Sequence, residues 1–182
     1  MTRIAQISLA LTASALLAAR ATSAEPTGSA AAQEALALCS RADDLTQAEK
    51  AALLDQGLQL AERAVAADPQ DPAAHFAVFC NLGKRTELDH APLGSLLALR
   101  RLRRELDLTL TLAPDDPDAL AAKGALLFNL PRLLGGDHVE AERLLRRALA
   151  VEPSNTEARR YLARVLIERG AGDEASALLV SH

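Results

Sequence analysis

Leucine and alanine recur every three or four residues along most of this chain, with polar residues between them. That spacing places the apolar side chains on one face of a helix. Apolar and polar residues alternate over 106–112, but this stretch ends a longer segment with helical spacing, so no strand is predicted. The pattern predicts an all-α fold of eight helices in four antiparallel pairs. The predicted helices span 31–42, 46–67, 71–83, 95–112, 119–130, 137–151, 156–169 and 173–180.

Capping residues and prolines mark several of the predicted helix ends. Thr46 and Glu49 form a capping-box pattern, in which the two side chains satisfy free amides of the first turn. Asp71-Pro72 and Asp116-Pro117 each place a capping carboxylate before a proline of the first turn. These local signals predict where helices begin.

Three segments of the chain end alike, with LAERAVAADP before residue 70, LDLTLTLAP before residue 115 and LLRRALAVEP before residue 154. The intervals between them exceed the roughly 34 residues of a short helix-turn-helix repeat. We therefore predict two insertions. One is a polar loop at 84–94, which contains Pro92 and Gly94, and the other is a long connection at 131–136.

The last unit of the chain resembles the tetratricopeptide repeat. Its small residues Ala158, Ala163 and Ala175 stand where two helices of that repeat approach closely, and Gly170 stands at the turn. The preceding unit matches the same pattern through Ala119, Gly124, Gly136, Ala141, Leu145, Ala148 and Pro153. The resemblance implies a right-handed superhelix of about four antiparallel helix pairs over 31–182. It also implies a non-catalytic scaffold that binds a protein or peptide partner.

A narrower resemblance concerns the connection Leu130-Pro131-Arg132-Leu133-Leu134-Gly135-Gly136-Asp137, followed by Ala141. It is similar to the connection found in the exported T-component family associated with TRAP transporters. This resemblance implies an alternative function, a periplasmic accessory of a transport system that binds a small ligand. A plain structural explanation of Gly-Gly-Asp also stands, namely a turn followed by a helix N-cap.

The first 24 residues have the layout of a secretory signal peptide, with Arg3 before an uncharged apolar run at 4–19 and small residues before Glu25. The run is shorter than the roughly 20 residues that a membrane-spanning helix needs. We therefore predict cleavage after Ala24 rather than retention as an anchor. Residues 25–30 are predicted to form a disordered lead, and the mature protein is expected in a bacterial periplasm without a stable membrane span.

Charge and composition argue against a nucleic-acid partner. The formal net charge is −4, and aromatic residues make up 2% of the chain. Nucleic-acid-binding domains are usually basic and often carry exposed aromatic side chains. Two cysteines, Cys39 and Cys80, leave two alternatives open: one disulfide in an oxidising compartment, or two buried thiols.

The residue types that carry catalysis or bind metals form no recognisable constellation. The four histidines are not paired with cysteine, carboxylate or each other at a metal-ligand spacing within a shared motif. The chain contains no glycine-rich phosphate loop and no serine elbow. We predict that the protein is not an enzyme and uses neither a cofactor nor a metal.

The repeat register predicts a concave groove lined by the first helix of each pair. Its apolar floor and cationic end would suit an extended peptide, or an amphipathic ligand with an acidic group. The alternative interpretation is that the phenylalanines belong to the core and the arginines to a solvated face. A further candidate surface is the uncovered edge of the helix at 173–180, which could support self-association. The predicted groove residues are Phe76, Lys84, Phe128, Asn129, Arg160 and Arg164, with Cys80, Ala121, Ala125 and Ile167 beside them.

Overall fold

Helices account for nearly all of the regular structure in the computed structural model, which describes residues 29–89 and 92–180. No strand occurs in these two ranges, so the predicted all-α fold is confirmed. Short 3₁₀ turns lie at Ala42–Asp44 and Arg132–Leu134. The helices are α1 (Ala30–Arg41), α2 (Gln47–Ala67), α3 (Pro72–Asp89), α4 (Pro92–Leu112), α5 (Pro117–Asn129), α6 (His138–Val151), α7 (Thr156–Glu168) and α8 (Gly172–Val180).

The predicted signal peptide at 1–24 lies outside the described residues, as does most of the lead at 25–30. Within that lead, Ser29 already belongs to the folded domain. Its hydroxyl accepts a hydrogen bond from the Ala32 amide (3.2 Å), and its own amide donates to Asp71 Oδ2 (2.7 Å). These bonds satisfy free amides at the start of α1, so the helix begins one residue earlier than predicted.

Consecutive helices pack against each other as four pairs, α1 with α2, α3 with α4, α5 with α6, and α7 with α8. Because short connections join the two packed helices of a pair, they run antiparallel. First helices also pack on one another within each half of the chain, α1 on α3 and α5 on α7. Between the halves, the packing runs through α4 and α5, while α3 and α5 line opposite sides of a cavity.

The loop predicted at 84–94 is wrong over most of its length, because α3 continues to Asp89 and α4 begins at Pro92. Tertiary contacts hold the polar end of α3 in place. The Lys84 ammonium lies 2.7 Å from both carboxylate oxygens of Asp43. Pro92 begins the next helix rather than interrupting one, since a proline at the first helical position lacks only an amide that needs no partner there.

The predicted connection at 131–136 is a turn that only glycine fits. Gly135 has a φ of 82°, in the left-handed region that favours glycine. A Cβ at Gly136 would lie 1.8 Å from the Leu130 carbonyl oxygen. Asp137 then caps α6 by accepting hydrogen bonds from the amides of Val139 (3.0 Å) and Glu140 (3.1 Å). The turn and the cap together account for the Gly-Gly-Asp sequence.

A disulfide joins Cys39 of α1 to Cys80 of α3, with the two Cα atoms 6.2 Å apart. The structure therefore has the disulfide rather than the two free thiols. The bond crosses from the first helix pair to the second over a sequence separation of 41 residues. Closing a loop of this size typically stabilises a fold by about 2–4 kcal/mol.

None of the helices within 29–89 and 92–180 combines the length and the apolar character needed to cross a bilayer.

Candidate ligand-binding cleft between the two halves of the chain

A cavity of about 830 Å³ opens between α3 and α4 on one side and α5 on the other. We call it the cleft. The start of α7 and the turn after α5 complete its walls, through Glu157, Tyr161 and Leu134. The cleft lies where the stacking of first helices is interrupted, since α3 and α5 face each other across it instead of packing together.

The walls of the cleft are mainly apolar. Phe76 and Phe79 lie on the α3 side, with their rings stacked at a centroid distance of 5.9 Å. The α5 side presents the short side chains of Ala121, Ala122 and Ala125. Alanines cannot reach the opposite wall, so the space between the helices stays unfilled. Leucines from α4 and from the end of α5 enclose the rest: Leu96, Leu99, Leu102, Leu126, Leu130 and Leu134.

Four charged side chains line the cleft, Lys84 and Glu87 from α3, Asp118 from α5 and Glu157 from α7. Two of them are already paired. Lys84 binds Asp43 and also donates to the Cys39 carbonyl oxygen (3.0 Å). Glu157 accepts hydrogen bonds from the guanidinium of Arg160, the shorter at 2.6 Å. The cation and this carboxylate are therefore neutralised by partners within the chain.

Glu87 and Asp118 differ from the other two, because neither forms an ion pair with any side chain in the described part of the protein. Asp118 accepts one hydrogen bond, from the Asn155 side-chain amide at 2.8 Å. Desolvation raises the pKa of the Asp118 carboxyl, and the nearby carboxylates of Asp116 and Glu152 act in the same direction. The hydrogen bond from Asn155 opposes this shift without reversing it.

The structure brings three of the predicted groove residues together in the cleft: Phe76, Lys84 and Asn129. Phe76 lies on the apolar wall, and the side-chain amide of Asn129 donates to the Tyr161 hydroxyl (3.3 Å). Cys80, Ala121 and Ala125 line the cleft as well, although Cys80 does so as part of the disulfide.

The other three predicted groove residues, Phe128, Arg160 and Arg164, do not line the cleft. Phe128 is 6% exposed and belongs to the core of the second half of the chain. The Arg164 guanidinium lies 4.9 Å from the Phe128 ring centroid and 5.1 Å from that of Tyr161. Arg160 lies over Tyr161 and binds Glu157. The cationic end expected for the groove is therefore absent from the lining of the cleft.

Repeat-based reasoning missed most of the lining residues, among them Phe79, Glu87, Asp118 and Tyr161. Phe79 follows Phe76 by three residues, and this spacing places both on one helix face. That signal was available in the sequence. Glu87 was missed because it fell in the predicted loop. Asp118 was missed because acidic residues are common in the first turn of a helix, where the helix dipole stabilises them. Its position therefore gave no sign of a binding site.

The described part of the chain holds no group of three histidine, cysteine or carboxylate side chains arranged to bind a metal. His90 and His182 lie outside it. At the C-terminal edge, Leu179 and Val180 are exposed by 48% and 77%, and the predicted self-association through this edge stays a prediction.

Comparison with known proteins gives a partial family match. Residues 132–181 match the family model described as a tetratricopeptide repeat. Among solved structures, the chain is similar to the first TPR of Spaghetti (RPAP3) bound to the HSP90 peptide SRMEEVD. That match has 18% identity and a TM-score of 0.49, and covers 80% of this chain and 99% of the other.

A second similar structure is that of the MamA protein, with 14% identity and a TM-score of 0.38. The match covers 82% of this chain and 88% of the other. No curated protein matches the sequence. The resemblance to the T-component family stays a prediction.

Proposed function

Because this chain contains a tetratricopeptide repeat at residues 132–181, we propose that it is a protein-interaction module that binds an extended segment of a partner protein in the cleft. The observation that carries the proposal is the unfilled apolar space between α3 and α5. Elsewhere in each half, first helices bury their apolar faces against one another, α1 on α3 and α5 on α7. The facing sides of α3 and α5 lack that cover, so an incoming chain would bury them.

The surface of the cleft has the composition of a binding site. Aromatic and leucine side chains form its walls, and polar groups such as Glu87 and Asn129 stand among them. Interfaces commonly combine an apolar centre with a polar rim, and aromatic side chains often supply much of the binding energy. Both Glu87 and Asn129 are exposed, as is Leu96, so the cleft is open to solvent on that side.

A second candidate function is the binding of a small amphipathic ligand, as expected of an accessory of a transport system. The volume of the cleft favours it, since small-molecule sites commonly occupy about 300–1,000 Å³. The loop predicted at 84–94 cannot serve as a lid over such a ligand, because residues 84–89 are helical. We place the peptide-binding function first, because the cleft opens to solvent.

Replacing Ala122 by tryptophan is expected to abolish binding in the cleft, because the indole would fill space that the alanine leaves open. Linear peptides from a random display library would be selected on the purified wild-type protein, and the affinity of the enriched consensus measured by fluorescence anisotropy. The control is Ala66→Trp, which adds the same side chain at an exposed position of α2. We expect at least about a hundredfold loss for Ala122→Trp and no change for Ala66→Trp.

Retained peptide affinity in the Ala122→Trp variant, or the absence of any enriched consensus, would contradict the peptide-binding function. Native mass spectrometry of the same wild-type preparation tests the second candidate function, the binding of a small ligand. A small molecule that co-purifies with the wild type and is lost in Ala122→Trp would favour the ligand-binding accessory.

We also propose that the protein is exported and acts without catalysis. The Cys39–Cys80 disulfide supports export, since such bonds persist mainly in oxidising compartments. In a bacterial host that expresses the full chain, we expect the protein in the osmotic-shock fraction with Glu25 as its first residue. Mass spectrometry of the intact protein in each cell fraction, and of its N-terminal peptide, gives the location and the first residue. An N-terminus at Met1 in a membrane fraction would contradict cleavage.

A further inference from the structure

We propose that the cleft selects an extended segment with apolar residues in its middle and a basic residue at each end. This inference rests on the proposed peptide-binding function and names the chemistry of the partner. Two features of the cleft carry it: the unpaired carboxylates among its lining residues, and their placement at opposite ends of the apolar walls.

The charge balance of the cleft is negative once internal pairs are counted. Lys84 is bound to Asp43, and Glu157 is bound to Arg160. Glu87 and Asp118 remain without a cationic partner among the side chains of residues 29–89 and 92–180. An ionised carboxylate can accept about four hydrogen bonds, and Asp118 uses one for Asn155. Both carboxylates can therefore accept hydrogen bonds from a lysine or arginine of a bound segment.

The direction of the helices places these two carboxylates at opposite ends of the cleft. α3 packs on α4 and α4 packs on α5, and a short connection reverses the chain at each step, so α3 and α5 run in nearly the same direction. Asp118 lies in the first turn of α5, whereas Glu87 lies in the last turn of α3. Along α3, the wall from Phe76 to Glu87 has a rise of about 16 Å, which an extended segment of about five residues spans.

The aromatic side chains fit a segment with an apolar middle and basic ends. Phe76 and Phe79 line the cleft on the α3 wall, and their rings offer an apolar surface to the middle of a bound segment. The ring of Tyr161 is already covered, since Arg160 and Arg164 lie 4.6 and 5.1 Å from its centroid. Arg164 would repel a basic residue beside Tyr161, whereas the charge of Arg160 is already balanced by Glu157.

A set of three labelled heptapeptides tests the inference. Each has the central sequence Leu-Ala-Leu-Ala-Leu and blocked termini, and carries lysine, glutamine or glutamate at both ends. Fluorescence anisotropy on the full purified protein gives the three affinities. We expect the lysine peptide to bind about tenfold more tightly than the glutamine peptide, as two partly exposed ion pairs would provide, with the glutamate peptide weakest.

Two double variants test whether Glu87 and Asp118 cause the preference for the lysine peptide. Glu87→Gln with Asp118→Asn should lower the affinity for the lysine peptide to that of the glutamine peptide, and leave the glutamine peptide unchanged. Glu34→Gln with Asp173→Asn changes the net charge equally at exposed positions that do not line the cleft, so it should keep the preference for lysine.

The outcomes separate this inference from the function on which it rests. Equal binding of all three peptides by the wild type would overturn the charge preference and leave the peptide-binding function standing. A preference for lysine that survives in Glu87→Gln with Asp118→Asn would also overturn it. Binding of none of the three peptides would count against the peptide-binding function itself.

Discussion

Replacing Gly124 by leucine is expected to disrupt the third helix pair and to lower the free energy of unfolding by more than about 4 kcal/mol, a range reached by severe core overpacking. Helices α5 and α6 approach each other closely at this glycine. A Cβ there would lie 2.7 Å from Leu145 Cγ and 3.1 Å from the Ala141 carbonyl oxygen. The Leu145 side chain is fully buried, and the Ala141 contact is with backbone. Neither can move without displacing the helix.

Urea unfolding followed by far-ultraviolet circular dichroism measures the effect. The control is Gly172→Leu at the start of α8, where an added Cβ meets no atom within 4 Å. We expect the control to change the unfolding free energy by no more than about 0.5 kcal/mol. A Gly124→Leu variant with native helicity and an unchanged midpoint would show that the close approach of the third pair does not exist.

Helix boundaries were predictable because a cap depends on residues within one turn. The Asp116 carboxylate accepts a hydrogen bond from the Ala119 amide at 2.8 Å, as its position before Pro117 predicted. Asn155 caps α7 in the same way, through the Ala158 amide at 2.8 Å. The loop expected at 84–94 failed for the opposite reason. Lys84 is held by Asp43, which lies 41 residues earlier, and local composition carries no information about that contact.

Close packing in the first half of the chain was not predictable from local pattern either. Asn81 is fully buried, and its side-chain amide donates to the carbonyl oxygens of Ala35 (3.0 Å) and Ala77 (2.9 Å). A Cβ at Gly57 would lie 2.1 Å from Asn81 Oδ1. In sequence, Gly57 is one more small residue on an apolar helix face. Its partner across the interface becomes visible only when α2 and α3 are packed.

The candidate site was predictable only in part, for the same physical reason. The repeat pattern assigned Phe76 and Asn129 to first helices, and both side chains line the cleft. A groove lined by every first helix requires those helices to stack evenly. Phe128 and Arg164 would then line the same groove as Phe76. In the structure α3 and α5 stand apart, so the cleft forms between the halves while Phe128 is buried within the second half. Separation between units depends on contacts that no single repeat encodes.

Glu105→Gln is expected to lower the free energy of unfolding by about 2–4 kcal/mol, because it removes a buried charged acceptor of two hydrogen bonds. Glu105 and His75 are 3% and 4% exposed, and His75 Nδ1 lies 2.7 Å from Glu105 Oε2. The other ring nitrogen of His75 lies 3.1 Å from the Pro69 carbonyl oxygen. A neutral glutamine would leave this buried ring without its anionic partner. The control is Glu168→Gln, whose half-exposed carboxylate lies 3.5 Å from His138 and should contribute less than about 1 kcal/mol.

The same pair predicts how stability depends on pH. Burial by itself would raise the pKa of the Glu105 carboxyl, but hydrogen bonds from Arg104 and His75 outweigh it and hold that pKa below its ordinary value. A carboxyl whose folded pKa is lowered binds protons more readily in the unfolded chain. Its contribution is therefore complete above the unfolded pKa of about 4.3, and is lost as the pH falls through the folded pKa. Urea midpoints measured from pH 6 to pH 3 should fall less steeply for Glu105→Gln than for the wild type. Parallel profiles would mean that Glu105 has the same pKa in both states, and that the hydrogen bonds from Arg104 and His75 to its carboxylate do not stabilise the fold.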